Sequence, residues 1–425
     1  MGLRNRRVLI SGASVAGPVL AYWLRRYGFE PTVVELAPAL RDSGYPIDVR
    51  GDAVTVAERM GVLDRVRAAG LDTAGVSFVN KRGRISGSID MRAIRKATAS
   101  TDIELCRGEL VRILCDTNAD DVEYRFGDRI TALHQGEGGV QVEFAHGAPR
   151  EFDLVLGADG VHSGVRGLAF GPEQGFLHSL GCYFGGAEVD PRFGEPDRVV
   201  LRSAPDRALG VYRFRDRAAA FYIFRSETPL DHDYRDPMAP RRIFAERFTD
   251  DFWPTGLVEA VSGADATDFD SLSQIRMPAW SAGRVALAGD AAHCPTLVTG
   301  AGTSLAMVGA YRLAGELHAA AGDHERAFAA YERHYRPQVT KAQSGTAQGM
   351  NMFMPATEAA IWRRDQLLRL VPLSVLMARM TRRFARQAPE LPDYPSAVSA
   401  VPSPPPPARL RTGARASGRS GRSDG

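Results

Sequence analysis

The side chains able to do chemistry in this chain are spaced to hold phosphates and hydroxyls rather than to pair a nucleophile with a base. Gly12, Ser14 and Gly17 fill the three positions of a G-x-G-x-x-G fingerprint, with Ala16 beside the last. Glycine is wanted first for a tight turn, second for close approach to a pyrophosphate and third for packing helix on strand. Serine at the middle position gives up some room and adds a hydroxyl donor. Glu35 follows roughly twenty residues later, where an acid accepts the ribose hydroxyls of an adenine dinucleotide. Two further aspartates close small-residue turns, Asp159 in Gly157-Ala-Asp-Gly-Val-His-Ser-Gly-Val-Arg166 and Asp290 in Gly289-Asp-Ala-Ala-His-Cys-Pro295. His162, His178 and His232 have no Ser/Asp or Cys partner at nucleophilic spacing, and no two histidines stand at metal-ligand separation with acids between them. No metal is expected, and His293 is read as structural.

These residues require particular elements. Arg7-Val-Leu-Ile10 is a short apolar strand and 18–26 has helical patterning closed by Gly28, after which Pro31-Thr-Val-Val-Glu35 is a second buried strand: a βαβ unit. Buried strands ending at Gly157 and just before Asp290 complete the sheet from distant pieces of chain. Between them 198–202, 209–214 and 218–224 read as an antiparallel meander. Tyr212, Arg213, Phe221, Tyr222 and Phe224 alternate along it, so the pleat sends one set inward to a substrate and the other to core. After Asp290 the chain turns helical over 303–321, 325–348 and 356–387. The fold class expected is α/β: a discontinuous Rossmann-like domain (1–75, 98–172 and 278–345), a β-sheet substrate domain (76–97 and 173–277), C-terminal helices (346–390) and a disordered tail (391–425).

The 425 residues carry a net charge of +3, but the tail from Ala408 to Gly425 holds five arginines against Asp424, which leaves the rest of the chain at −1. A nucleic-acid reader carries its positive charge on the folded face, so that class loses its support. Cys106, Cys115, Cys182 and Cys294 form no C-x-x-C pair, as suits a reducing compartment. With no apolar run approaching the ~18 residues of a membrane span and no signal peptide, a cytoplasmic protein without a membrane partner is expected.

Together the fingerprint, the Asp159 and Asp290 turns and the run Thr299-Gly-Ala-Gly-Thr-Ser-Leu-Ala306 resemble, in order, the motifs of the class A FAD-dependent aromatic monooxygenases. This is the family of p-hydroxybenzoate hydroxylase, and the likeness is greatest to its tetracycline-destructase and polyketide-tailoring branch. The resemblance implies FAD as cofactor and NADPH or NADH as transient co-substrate. It gives Asp290 the ribityl hydroxyls, sets Pro295 against the flavin ring and makes Gly300, Gly302 and Thr303 the start of a helix whose free N–H groups favour charge on the reduced flavin. Asp159 then lies where flavin and nicotinamide routes meet, Arg107 contacts FAD from a helix start, and Arg41 and Asp48 match residues of NADPH and flavin contact.

The implied activity is hydroxylation of an aromatic or polyketide-like small molecule with O₂ through a flavin C4a-hydroperoxide, in a monomer or weak dimer. No catalytic side chain is required, because the cofactor carries the chemistry; the substrate is expected against the meander aromatics and Thr296. Two alternatives stay open. A flavin-dependent halogenase needs a tunnel lysine and a W-x-W-x-I-P segment, whereas here Trp280 stands alone and Lys81 sits in a polar turn. A non-catalytic FAD-binding partner protein shares every binding motif.

Overall fold

Val8, Leu9 and Ile10 of the first strand are fully buried, as are Leu154, Val155 and Leu156 of a strand nearly 150 residues later. Strands apolar on both faces belong in the middle of a parallel sheet covered by helices, and that is where these lie. The computed structural model describes residues 2–40, 45–230, 236, 238–249, 252–253, 256–264, 267–344, 346–370 and 391–395. Arg41, His232, the expected helix beyond 370 and the tail from 396 lie outside the described residues.

The chain opens with β1 (Arg7–Ser11), α1 (Ala16–Arg26) and β2 (Glu30–Glu35). β3 (Pro46–Val49), α2 (Asp52–Arg59) and α3 (Leu63–Ala68) lead to the hairpin β4 (Gly75–Val79) and β5 (Ile85–Asp90). Next come α4 (Met91–Thr98), β6 (Ile103–Cys106), α5 (Arg107–Asp116) and β7 (Glu123–Phe126). A small meander, β8 (Ile130–Gln135), β9 (Val140–Phe144) and β10 (Arg150–Phe152), precedes β11 (Leu154–Gly157) and α6 (Gly164–Phe170). The long strands are β12 (Leu177–Val189), β13 (Arg198–Ala204), β14 (Arg207–Phe214) and β15 (Arg217–Arg225). They are followed by α7 (Ala239–Arg247), α8 (Leu257–Ser262) and β16 (Thr267–Ile275). The described chain then runs through β17 (Ser281–Ala282), β18 (Val285–Leu287), α9 (Asp290–His293), α10 (Gly302–Ala319), α11 (His324–Ser344), α12 (Thr346–Phe353) and α13 (Glu358–Leu370).

One sheet has the order β17-β18-β11-β1-β2-β7, parallel apart from the edge strand β17. α1 and α10 cover it and meet through Trp23 and Tyr311, whose rings lie 4.8 Å apart. A second sheet, β16-β12-β15-β14-β13-β4-β5, is antiparallel except where β13 runs parallel to β4. Its faces are distinct. Leu209, Val211, Tyr222 and Phe224 pack behind it against Phe244 and Val258 of α7 and α8, while Phe78, Leu201, Phe221 and Ile223 point forward to Met350, Met352 and Met354.

The expectation that the tail is unpacked from 391 is corrected at its start. Tyr394 lies over Gly315 of α10, where any Cβ would overlap its ring, and its hydroxyl donates to Glu316 at 3.0 Å. The Pro392 carbonyl accepts from Arg59 (2.7 Å) and Tyr311 (2.8 Å). One aromatic ring and a few hydrogen bonds thus hold a segment whose proline content alone reads as unstructured.

Candidate functional site

The register of the parallel sheet brings the three sequence motifs to one edge. Ser11 stands opposite Gly157 and Gly157 opposite Leu287, so Gly12, Ala158 and Ala288 each begin a turn at the same end of adjacent strands. Ligands of open α/β sheets bind at that carboxyl edge. The turns pack tightly: a Cβ on Gly12, whose φ is +105°, would meet the Ala158 carbonyl oxygen and come within 3.0 Å of Asp159 Cα. One on Gly17 would overlap the Gly12 carbonyl, and one on Gly289 would sit 3.2 Å from the methyl of Ala16.

Glu35 closes the first turn from below, accepting from the backbone N–H groups of Ala13 (2.7 Å) and Ala37 (2.8 Å). Arg107, first residue of α5, donates to Ser14 Oγ at 2.8 Å and is the cation that opposes the desolvation pushing the Asp290 carboxyl upward. Asp290 faces Gly302 at the start of α10. Asp48 accepts from Arg50 at 2.5 Å; burial pushes its carboxyl up, against the pull of that guanidinium. Gly300 passes within reach of both, and Ser304 Oγ ties Arg50 N (2.9 Å) to the Asp48 carbonyl (3.3 Å).

Asp159 is committed to its own turn, accepting from Ser163 Oγ (2.5 Å), Val165 N (3.1 Å) and Ser11 Oγ (3.4 Å), while burial raises its carboxyl. Ser163 caps α6 by accepting from Arg166 N. Buried Arg166 reaches the Ala291 carbonyl at 3.0 Å and Glu173 at 2.7 Å, which fastens this loop to α9. His162 does find acids that its local sequence does not reveal. Asp270 of β16 (3.2 Å) and Glu173 (3.0 Å) flank its two ring nitrogens and raise it to about 10, making a cationic bridge from this loop to the second sheet. His293 is the opposite case: packed against Trp280 and Tyr331, it is pushed by burial down to about 3 and stays neutral.

Beyond Pro295 the backbone is strained. Thr296 has φ +84°, a conformation that β-branched residues rarely adopt, and is 3% exposed with its Oγ1 unpartnered by protein. The next turn carries Val298 into the apolar cluster of Phe184, Phe221 and Met352. Of the five meander residues proposed to touch substrate, only Tyr212 and Phe221 face this side. Tyr212 joins a cluster with Cys106 and Phe214, and its hydroxyl pairs with Thr73. Tyr222 and Phe224 are corrected to core behind the sheet, and Arg213 lies on that same rear face beside Gly194, because the pleat alternates and α7 and α8 cover one face. Lys81 is exposed in the β4–β5 turn.

Sequence reasoning missed Arg50 and Ser304, and the Gln274 and Gln343 side chains that donate to the Pro295 and Cys294 carbonyls. Ser163 carried a signal, since serine three residues before Arg166 is a capping pattern. Arg50 and Ser304 carried none, being 254 residues apart in the chain.

The arrangement fits a flavin adenine dinucleotide. Neither α1 nor α10 has a side-chain cap or an acid in its first turn, so both N-termini offer free N–H groups to negative charge. The glycines leave a cradle that a Cβ would fill, and Glu35 and Asp290 supply acceptors at separate ends. Among the described residues no group of three His, Cys, Asp or Glu side chains is arranged to hold a metal, and no helix is long and apolar enough to cross a membrane.

Comparison with known proteins agrees. Residues 5–346 match the family model described as an FAD binding domain. An uncharacterized protein of Mycobacterium tuberculosis is 41% identical over 345 residues, covering 80% of this chain and 92% of that one. A flavin-dependent monooxygenase of Legionella longbeachae is 33% identical over 351 residues, 80% of this chain and 87% of the relative. The crystal structure of tetracycline destructase Tet(55) superposes with a TM-score of 0.78 at 32% identity, covering 93% of this chain and all of the other.

Proposed function

This chain belongs to the class A FAD-dependent monooxygenase family, and from that premise we propose that it uses NAD(P)H and O₂ to hydroxylate an aromatic or polyketide-like small molecule. One observation carries the substrate class. Val298, in the turn that follows Pro295, shares an apolar cluster with Phe184 and Phe221 of the second sheet and Met352 and Phe353 of α12, so aromatic and apolar side chains adjoin the stretch of chain just beyond Pro295. A flat, largely apolar molecule suits such surroundings, and the 32% identity to a protein named tetracycline destructase supports polycyclic scaffolds.

Bound FAD supplies hydride acceptance and oxygen activation. The chain's own residues bind, orient and keep the site dry. Glu35 accepts at the ribose end; the Ser14–Arg107 pair and the open N-terminus of α1 hold pyrophosphate charge; Asp290 accepts ribityl hydroxyls; the N-terminus of α10 favours negative charge on the ring. The apolar cluster excludes water, and the uncommitted Thr296 hydroxyl is free to orient a polar group of substrate or cofactor. In the same reading, residues 1–75, 98–172 and 278–345 form the FAD-binding domain and 76–97 with 173–277 the substrate domain, in a monomer or weak dimer.

The test is NAD(P)H oxidation by the FAD-loaded chain against phenols, polyketide quinols and tetracyclines under ¹⁸O₂, with products read by mass. Substrate-stimulated oxidation with one labelled oxygen incorporated is expected. FAD binding without stimulation by any of these classes would overturn the substrate assignment.

A further inference from the structure

The strained Pro295–Thr296 turn is gripped from behind by two glutamine side chains. Gln274 of β16 is fully buried, and its amide nitrogen lies 3.3 Å from the Pro295 carbonyl, 2.8 Å from the Gln343 carbonyl and 2.7 Å from Thr346 Oγ1. Its oxygen accepts twice from Arg276. Gln343, at the end of α11, donates to the Cys294 carbonyl (3.2 Å) and the Ile275 carbonyl (2.9 Å). Two consecutive carbonyls, those of Cys294 and Pro295, are thus held immediately before the residue with φ +84°. A backbone in so sparsely populated a region persists only where its surroundings over-determine it.

Behind the clamp lies a cavity of about 380 Å³, lined among others by Ile275, Trp280, His293, Gln343 and Ser344. In front lie Thr296, buried with its hydroxyl unpartnered, and the apolar cluster that Val298 enters.

We propose that Gln274 and Gln343 are positioning residues that lock the Pro295–Thr296 peptide and shut the rear cavity off from the FAD site. The inference rests on the FAD assignment of that site. If the clamp is released, Thr296 relaxes from positive φ, the turn moves, and water in the rear cavity gains a path to the flavin side.

Iodide quenching of the fluorescence of FAD bound to the full chain reads that access without requiring turnover. Gln343→Met keeps length and apolar volume but removes both donors. Gln343→Glu turns the donors into acceptors facing two carbonyls. At pH 8 both variants are expected to raise the quenching constant at least threefold while the FAD dissociation constant changes less than twofold, since Glu35, Ser14, Arg107 and Asp290 lie elsewhere. At pH 5, with the two facing carbonyls favouring its neutral form, the carboxyl introduced by Gln343→Glu regains a proton to donate, so quenching in that variant should fall back toward wild type while that of Gln343→Met stays high. Should Gln343→Met fail to fold, the pH response of Gln343→Glu decides alone. Unchanged quenching, or quenching that rises only together with a tenfold loss of FAD affinity, would overturn the clamp. A wild-type chain that binds FAD but oxidises none of the tested substrates defeats the proposed substrate class and leaves this inference standing.

Discussion

The two sheets meet at the site but contribute to it in different ways. The parallel sheet contributes where its strands end: Gly12, Asp159 and Asp290 all sit in turns just beyond β1, β11 and β18, and their roles depend on the backbone coming close. The antiparallel sheet contributes from the middle of its strands, through Phe184, Phe221 and Ile223, whose neighbours Tyr183, Tyr222 and Phe224 serve an unrelated core one pleat away. Cofactor recognition is therefore built from main-chain geometry that few residue types satisfy. In the proposed reading, substrate recognition is built from side chains that a volume-conserving change can replace, which is one physical reason why a single cofactor half can serve many substrates.

The largest expected effect strikes the rigid half. Gly12→Ala places a methyl against the Ala158 carbonyl at φ +105°, and should cost about 2–4 kcal/mol and abolish measurable FAD binding. Urea titration with and without FAD checks it; a normal midpoint with normal FAD affinity would break the contrast at its root. Glu35→Gln comes next. It replaces one of the two carboxylate oxygens that receive Ala13 N–H and Ala37 N–H by an amide donor, and should weaken FAD roughly ten- to hundredfold. Turnover at saturating FAD should be nearly normal, and an altered NADPH KM with unchanged FAD affinity would reassign the whole βαβ unit.

The adaptable half should respond more mildly. Phe221→Leu is expected to raise the KM of an aromatic substrate about three- to tenfold with little loss of FAD, read by steady-state kinetics.

His162 joins the halves, and its effect is smaller because its side chain is 37% exposed. Its partners Asp270 and Glu173 raise it to about 10, so its contribution is complete below the unfolded value of 6.5 and disappears as pH rises through about 10. Between pH 7 and 10.5 the wild-type melting temperature should therefore fall more steeply than that of His162→Gln, by the equivalent of roughly 1 kcal/mol or less. Parallel curves would show that the bridge contributes nothing. Smallest of all is Tyr222→Phe. The hydroxyl is buried without a hydrogen-bond partner behind the sheet, so its removal should leave KM unchanged and stability within about 0.5 kcal/mol or slightly improved. A shift in substrate KM would bring Tyr222 to the front face and undo the assignment of the two faces.

How much of this was legible follows the same division. Wherever a function depends on a local requirement of the chain, a glycine at a tight turn or an acid just after a buried strand, spacing alone locates it: Gly12, Gly17, Glu35, Asp159 and Asp290 all lie at the carboxyl edge of one sheet. The family follows from the order of those motifs. Alternation along β14 and β15 is equally visible, but the strand pattern is symmetrical between its faces, so only α7 and α8 behind and α12 in front decide that Tyr222 packs in the rear core and Phe221 in the cluster that Val298 joins. Glu173 and Asp270 around His162, Ser304 under Arg50, and the glutamines that hold Pro295 and Thr296 are brought together from segments far apart in the chain. Residue type and local spacing determine which backbone turns exist. Which side chains meet across those turns is decided by packing, because such contacts carry no periodicity that a single segment could display.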